Sequence, residues 1–293
     1  MRDRAYAHLV DGARKVRLDR FDPADTAGLE KEAALAELEK LGEEFAELGS
    51  LLSYAGQHAL LVVLQGRDAS GKDGAIRKIL DFSNVLNVRV APFKAPSESE
   101  RAHDFLWRVH QVVPERGHTA LFNRSHYEDV IAARVHALVP EPVWKKRYEH
   151  INDFERLLAD NNVILLKFCL HVSLDERIER LIAREKDART AWKLNPQDWR
   201  ELPLSEKLDE AYEDVLNKCS SSALPWYVVP ADKKWFRNLA IMQQLVFALR
   251  PYKKVWVKKL ELMGRDAMKE IRGLRAQASH LRKAGHKAAS GRR

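Results

Sequence analysis

The residues best suited to chemistry lie in one short stretch, Gly66-Arg67-Asp68-Ala69-Ser70-Gly71-Lys72-Asp73-Gly74. Gly66 and Gly71-Lys72 have the spacing of a phosphate-binding loop. Glycines there let backbone N–H groups turn towards phosphate oxygens, and the lysine adds a mobile positive charge. The usual loop follows its lysine with Ser or Thr to hold Mg²⁺, whereas this chain has Asp73. The metal, Mg²⁺ or alternatively Mn²⁺, is therefore expected on Asp68, because such a cation takes one or two carboxylates plus water and substrate oxygens. A plain glycine-containing turn with a surface aspartate is the competing reading. Strand, loop and helix signals in the right order favour phosphate binding.

Those signals are local. Leu60–Gln65 is an apolar run rich in Val and Leu, as in a buried parallel strand, and Ala75–Leu80 reopens with helical periodicity. The positive end of that helix points at the loop. Further strands are expected at Val88–Phe93, Thr119–Phe122, 162–172 and Trp226–Val229. Helices are expected over 27–52, from Ser97 through Val109, over Tyr127–Leu138 and Val143–Leu158, from Ser173, and over Leu204–Lys218 and Lys234–Leu249. This alternation predicts an α/β fold, a doubly wound parallel sheet covered on both faces. Ligands in such folds bind beyond the carboxyl ends of the strands.

That rule gathers Lys94, after the second strand, and Asn123-Arg124, after the third, around the loop. Many phosphate-loop enzymes carry a metal-holding Asp where this chain has Asn123, which again throws the metal onto Asp68, with Glu128 or Asp129 as further candidates. Arg124 is placed to grip phosphate bidentately; a surface ion pair is the bland alternative. Arg177, Arg180 and Arg184 share one helix face at i, i+3 and i+7, and Lys186, Arg189 and Lys193 follow. Such a run is usually a solvated face. Beside a phosphate loop it reads better as a cationic lid, over about 177–203, closing on a migrating phosphoryl group. Lys94 and Lys78 are candidates for a basic track leading away.

Composition sets outer bounds. Of 293 residues 45% are hydrophobic and 31% charged, globular values. No apolar run approaches the ~20 residues of a membrane helix, and Met1-Arg-Asp-Arg-Ala-Tyr6 lacks the apolar core of a secretion signal. Cys169 and Cys219 form neither a metal-ligand spacing nor a disulfide framework, so a cytoplasmic protein with no membrane partner is expected. The net charge of +8 is uneven: Lys253–Arg293 holds thirteen Lys/Arg against three Asp/Glu, leaving −2 for everything before it. The chain divides into an arm (1–27), a catalytic domain (28–252) and a basic tail (253–293). The tail is read equally well as a tether for a polyanion or as a solvated extension.

The sequence resembles the polyphosphate kinase type 2 family, phosphate-loop enzymes that use inorganic polyphosphate to phosphorylate nucleotides. The resemblance rests on Gly66–Gly74, on Phe93-Lys94-Ala-Pro96-Ser97, on His103-Asp-Phe-Leu-Trp-Arg108, on Phe122–Val130 and on Ala223–Trp235. Asn123-Arg124-Ser125-His126-Tyr127-Glu128 is similar to the subgroup acting on both AMP and ADP. The resemblance implies a P-loop kinase-like three-layer sandwich with a helical lid. It implies Mg²⁺ on Asp68, phosphates held by Lys72 and Arg124, and Arg184 as the first residue of the lid motif. The family's lid commonly reads Asp-Pro-x-Lys-x-Trp-Lys, where this chain has Asp187-Ala188-Arg189-Thr190-Ala191-Trp192-Lys193. Either Arg189 substitutes for the missing lysine or the lid binds less tightly. The expected partners are polyphosphate, AMP, ADP and ATP, with a homo-oligomeric assembly and no nucleic acid. An ATP-dependent nucleoside monophosphate kinase is the alternative enzyme, and a nucleic-acid-binding module using the tail is the alternative outside enzymology.

Overall fold

A computed structural model describes residues 5–186 and 194–290 of the protein. Its strands are β1 (His8–Val10), β2 (Ala59–Gln65), β3 (Val88–Pro92), β4 (Thr119–Asn123), β5 (Val163–His171) and β6 (Trp226–Pro230). Helices α1 (Lys31–Ala55) and α2 (Lys72–Leu80) flank β2 in sequence. Two short turns, α3 (Glu98–Arg101) and α4 (Trp107–His110), come next, followed by α5 (Ile131–Val135) and α6 (Glu141–Asp160). Then follow α7 (Leu174–Lys186), α8 (Pro196–Arg200), α9 (Ser205–Lys218), α10 (Lys234–Leu249) and α11 (Lys253–Ser290).

The sheet order is β1-β6-β5-β2-β4-β3. β2 through β6 run parallel, and β1 is antiparallel to β6 with Leu9 opposite Tyr227. All seven residues of the central β2 are buried, as a strand covered on both faces requires. One face carries α1, α2 and α10, which pack on one another. The other is covered by α5, α6 and α9, whose Ile151, Phe154, Ala211 and Val215 join Leu61, Val63 and Phe122 of the sheet in one core. Chain connections leaving β2 and β5 run to opposite sides of the sheet, which opens a crevice above their carboxyl ends.

The expected α/β sandwich is therefore present, and the differences from expectation are local. Residues 8–10, expected in an arm without periodicity, form the edge strand of the sheet. The single helix expected from Ser97 through Val109 is two turns. Ser97 caps the first in a capping box. Asp104 then accepts from Leu106 N through Oδ1 (2.9 Å) and from Trp107 N through its carbonyl (3.1 Å), restarting the chain in a new direction. The helix expected over Tyr127–Leu138 opens as a 3₁₀ turn, His126–Asp129, because Ser125 Oγ accepts from Tyr127 N. Both cysteines are free and buried.

Two compact units are distinguished, Met1–Pro251 and Tyr252–Arg293. The second is the helix α11, with Tyr252 and Trp256 stacked at 5.6 Å. Among the described residues no helix is long and apolar enough to cross a membrane.

Candidate active site

The chain leaves β2 through Gly66 (φ 153°) and enters α2 through Gly71 (φ 95°), with Ala69 also left-handed at φ 65°. These angles wind the backbone into the tight loop that the glycine spacing predicts. No side chain caps the start of α2, so its first N–H groups are left for an anion. Lys72 folds back over the loop, where Nζ donates to the carbonyls of Gly66 (2.7 Å) and Arg67 (3.1 Å). Burial and the nearby Arg124 pull its pKa down to about 8, against the opposing pull of Asp68. Ser70, within the loop, is fully buried.

Beyond β4 the backbone turns at Arg124, which is left-handed at φ 61°. Holding a non-glycine residue there costs on the order of 1–3 kcal/mol and is typical of sites where a side chain must be aimed. Its guanidinium meets Asp68 through Nη2 and Glu128 through Nη1 (3.3 Å). Burial opposes ionisation of Asp68, but Lys72 and Arg124 outweigh it and hold its pKa below the ordinary carboxylate range. Asn123 Nδ2 donates to Asp73 Oδ1 at 2.8 Å, tying the end of β4 to the start of α2.

These groups open into one cavity of about 1100 Å³. Asp68, Lys72, Asp73, Lys94, Asn123 and Arg124 line it, as do the backbone at Ala69, Gly71 and Gly74 and the side chains of Arg180 and Arg184. Arg184 is bonded to Asp198 Oδ2 at 2.9 Å. One end of the cavity, at β3, is apolar, formed by Val90, Pro92 and Phe93.

Five expectations need correction. Arg177 was expected to meet phosphate; it is fully buried, and its Nε donates to the carbonyl of Asp68 (3.1 Å). Arg180 also braces the loop, donating to the carbonyls of Ala69 (2.8 Å) and Ala231 (2.7 Å). Helix α7 thus turns two of its three arginines inward as struts. Asp129, expected as a metal ligand, is held by Arg108 (3.0 Å) and Arg147 (3.4 Å) and lies outside the cavity wall. Glu128 is engaged with Arg124 and also lies outside that wall. Lys78, a candidate for the basic track, pairs instead with Glu39 and Asp81 at 3.3 Å each. Arg189 and Lys193 lie outside the described residues.

Three features escaped the sequence reading. Glu201 responds to the charge of Asp68: burial and that neighbour push its carboxyl up. Arg237, in α10, reaches the cavity wall. Beneath the β4 turn, Glu155 of α6 accepts from Lys167 Nζ (2.6 Å), Tyr127 OH (2.6 Å) and His126 Nε2 (3.2 Å), all buried. This network fixes the residues that directly follow Arg124. A lysine in the middle of an apolar strand was the available signal for it.

The donor set suits a hard cation. Asp68 is ionised and faces the cavity beside Asp73 and Asp198, and all three offer oxygen. Among the described residues no cluster of three or more His, Cys, Asp or Glu forms a preset cage. That combination fits a metal such as Mg²⁺, which keeps water and substrate oxygens in its shell.

Comparison with known proteins agrees with this geometry. The polyphosphate kinase 2 family matches residues 28–256. An AMP/ADP-polyphosphate phosphotransferase of Meiothermus ruber is 48% identical over 246 residues, 83% of this chain and 91% of that protein. An ADP-polyphosphate phosphotransferase of Rhodopseudomonas palustris is 39% identical over 223 residues, 72% of this chain and 77% of that one. The crystal structure of polyphosphate kinase 2 from Arthrobacter aurescens superposes with a TM-score of 0.78 at 34% identity, covering 85% of this chain and 92% of that one. With the family matched over residues 28–256 and relatives similar over most of its length, the chain belongs to the polyphosphate kinase 2 family.

Proposed function

We propose that this chain transfers the terminal phosphoryl group of inorganic polyphosphate to AMP and ADP, giving ADP and ATP, with Mg²⁺ as the metal. The observation that carries this reading is the meeting of Lys72, Arg124 and Asp68 in one cavity that has an apolar end and a cationic end. Phosphoryl transfer is mostly positioning plus charge stabilisation, so no protein nucleophile is needed. Lys72, now satisfied by two loop carbonyls, moves to phosphate oxygens when they arrive. Arg124 exchanges its hold on Asp68 for a phosphate, which leaves the Asp68 carboxylate to the metal. The bound cation would neutralise charge on the phosphate oxygens of donor and acceptor. The N–H groups at the start of α2 hold the group in flight, and Arg184, released from Asp198, closes over it.

The relatives named above act on AMP and ADP or on ADP, which supports nucleotide acceptors and polyphosphate as donor. The test is a matrix of donors and acceptors: AMP or ADP with either polyphosphate or ATP as the only donor. Product from polyphosphate with both acceptors is expected. Product from AMP with ATP alone as donor overturns the reading in favour of a nucleoside monophosphate kinase.

A further inference from the structure

Arg237 lies one turn into α10, is 3% exposed, and forms part of the cavity wall. Its guanidinium rests on the start of α2, where two glycines leave room for it. A Cβ on Gly71 would overlap Nη1, and one on Gly74 would stand 3.0 Å from Nη2. Its hydrogen bonds go to a neutral group, Asn238 Oδ1, at 3.2 and 2.7 Å. Three other arginines of the wall have carboxylates: Asp68 and Glu128 for Arg124, Glu176 for Arg180, Asp198 for Arg184, while the fourth, Arg77, is exposed to water. Among the described residues none stands at ion-pair distance from Arg237. A covered charge without a counterion is unfavourable, and burial with the adjacent Arg180 brings its pKa down to about 10. An arriving anion would complete the site.

The sheet indicates which anion. α10 packs over β5 and β6, whereas β3 lies at the opposite edge, with the loop after β2 between them. The β3 end of the cavity is apolar and suits a nucleobase. The α10 end presents Arg237 and the exposed Lys234, with the positive charge of Arg180 beside Arg237, and suits oxyanions. We infer that Arg237, assisted by Lys234, binds the donor polyphosphate next to the group being transferred, so that the donor enters from the α10 side and the acceptor from the β3 side. This rests on the proposed reaction and gives it a direction.

The test uses the full chain and its Arg237→Gln, Arg237→Lys and Lys234→Ala variants. Steady-state KM is measured for polyphosphate and for AMP, with direct binding of tripolyphosphate and of AMP by calorimetry. Loss of a charge-assisted contact predicts a polyphosphate KM about 10- to 100-fold higher in Arg237→Gln, partial rescue in Arg237→Lys, and unchanged AMP affinity. A rise in AMP KM with polyphosphate binding intact overturns the inference, as does no change in either. Should Arg237→Gln fail to fold, the exposed Lys234→Ala decides: an unaltered polyphosphate KM there also overturns it. Wild-type protein that binds tripolyphosphate through Arg237 yet transfers nothing would sink the proposed reaction while leaving this site standing.

Discussion

Replacing Glu155 with alanine should destabilise the fold by about 3–5 kcal/mol. The carboxylate and its partner Lys167 each have side chains 1% exposed, with 2.6 Å between Nζ and Oε2. Without Glu155, the ammonium keeps only Cys219 O (2.7 Å) and a long contact to Tyr127 OH (3.4 Å). Tyr127 loses its acceptor, and an unsatisfied buried group costs about 1–3 kcal/mol; these penalties overlap and do not simply add. Removing both charges, in Glu155→Leu with Lys167→Met, should recover at least about 2 kcal/mol of the loss, because an apolar pair of similar volume is often neutral. Urea unfolding at pH 7 reads both differences. The pH dependence gives a second check. Burial disfavours the Glu155 carboxylate, but Lys167 and His126 outweigh it and hold its pKa below the ordinary glutamate value. A depressed folded pKa stabilises above the unfolded value, and that contribution fades as pH falls through the folded one. The gap between wild type and Glu155→Gln should thus be constant above about pH 5 and narrow in acid. A single-variant loss below about 1 kcal/mol, or a double variant no better than the single, would refute the reasoning.

Three further outcomes are expected. Lys72 has its pKa lowered from 10.5 to about 8, so kcat/KM should fall as pH rises through that value and phosphate loses its cation. The unfolded chain binds more protons between those two values, so this residue's unfavourable contribution to stability shrinks across the same window. A profile flat beyond pH 9 contradicts the assignment. Chelating divalent metal should abolish transfer, and Asp68→Asn should weaken the Mg²⁺ dependence at least about tenfold while circular dichroism shows the protein still folded; a normal metal titration in that variant excludes Asp68 as ligand. Gly71→Ala should cost about 1–3 kcal/mol through its left-handed backbone and also raise the polyphosphate KM by displacing Arg237, whereas a wild-type KM would show the guanidinium does not need that space.

The strand and helix pattern was legible because its cause is local. β2 and β5 are apolar over nearly their whole length, and helix spacing in α1 puts Leu38, Leu41, Phe45, Leu48 and Leu52 on one buried face. The loop residues were legible because φ and charge requirements tie glycine and lysine to fixed positions. What spacing could not reveal was which way a cation turns. Arg177, Arg180 and Arg184 share a face, yet the first two spend their donors on loop carbonyls, a choice made by α7's packing against the loop. Asp129 resembled a metal ligand until Arg108 and Arg147, distant in sequence, were seen to claim it. Arg237 looked like any helix residue, since its meaning depends on two glycines far away in the chain.

The pairing of β1 with β6 has a consequence for synthesis. The sheet borrows its last edge from residues 8–10, whose hydrogen-bonding mate is residues 226–228. At about 5–20 residues per second on the ribosome, those early residues wait roughly 10–40 s before their neighbour exists. During that interval β5 is the unpaired edge of the growing sheet. Closing this seam is therefore among the final acts of folding, and the early segment works as a latch on a body already assembled.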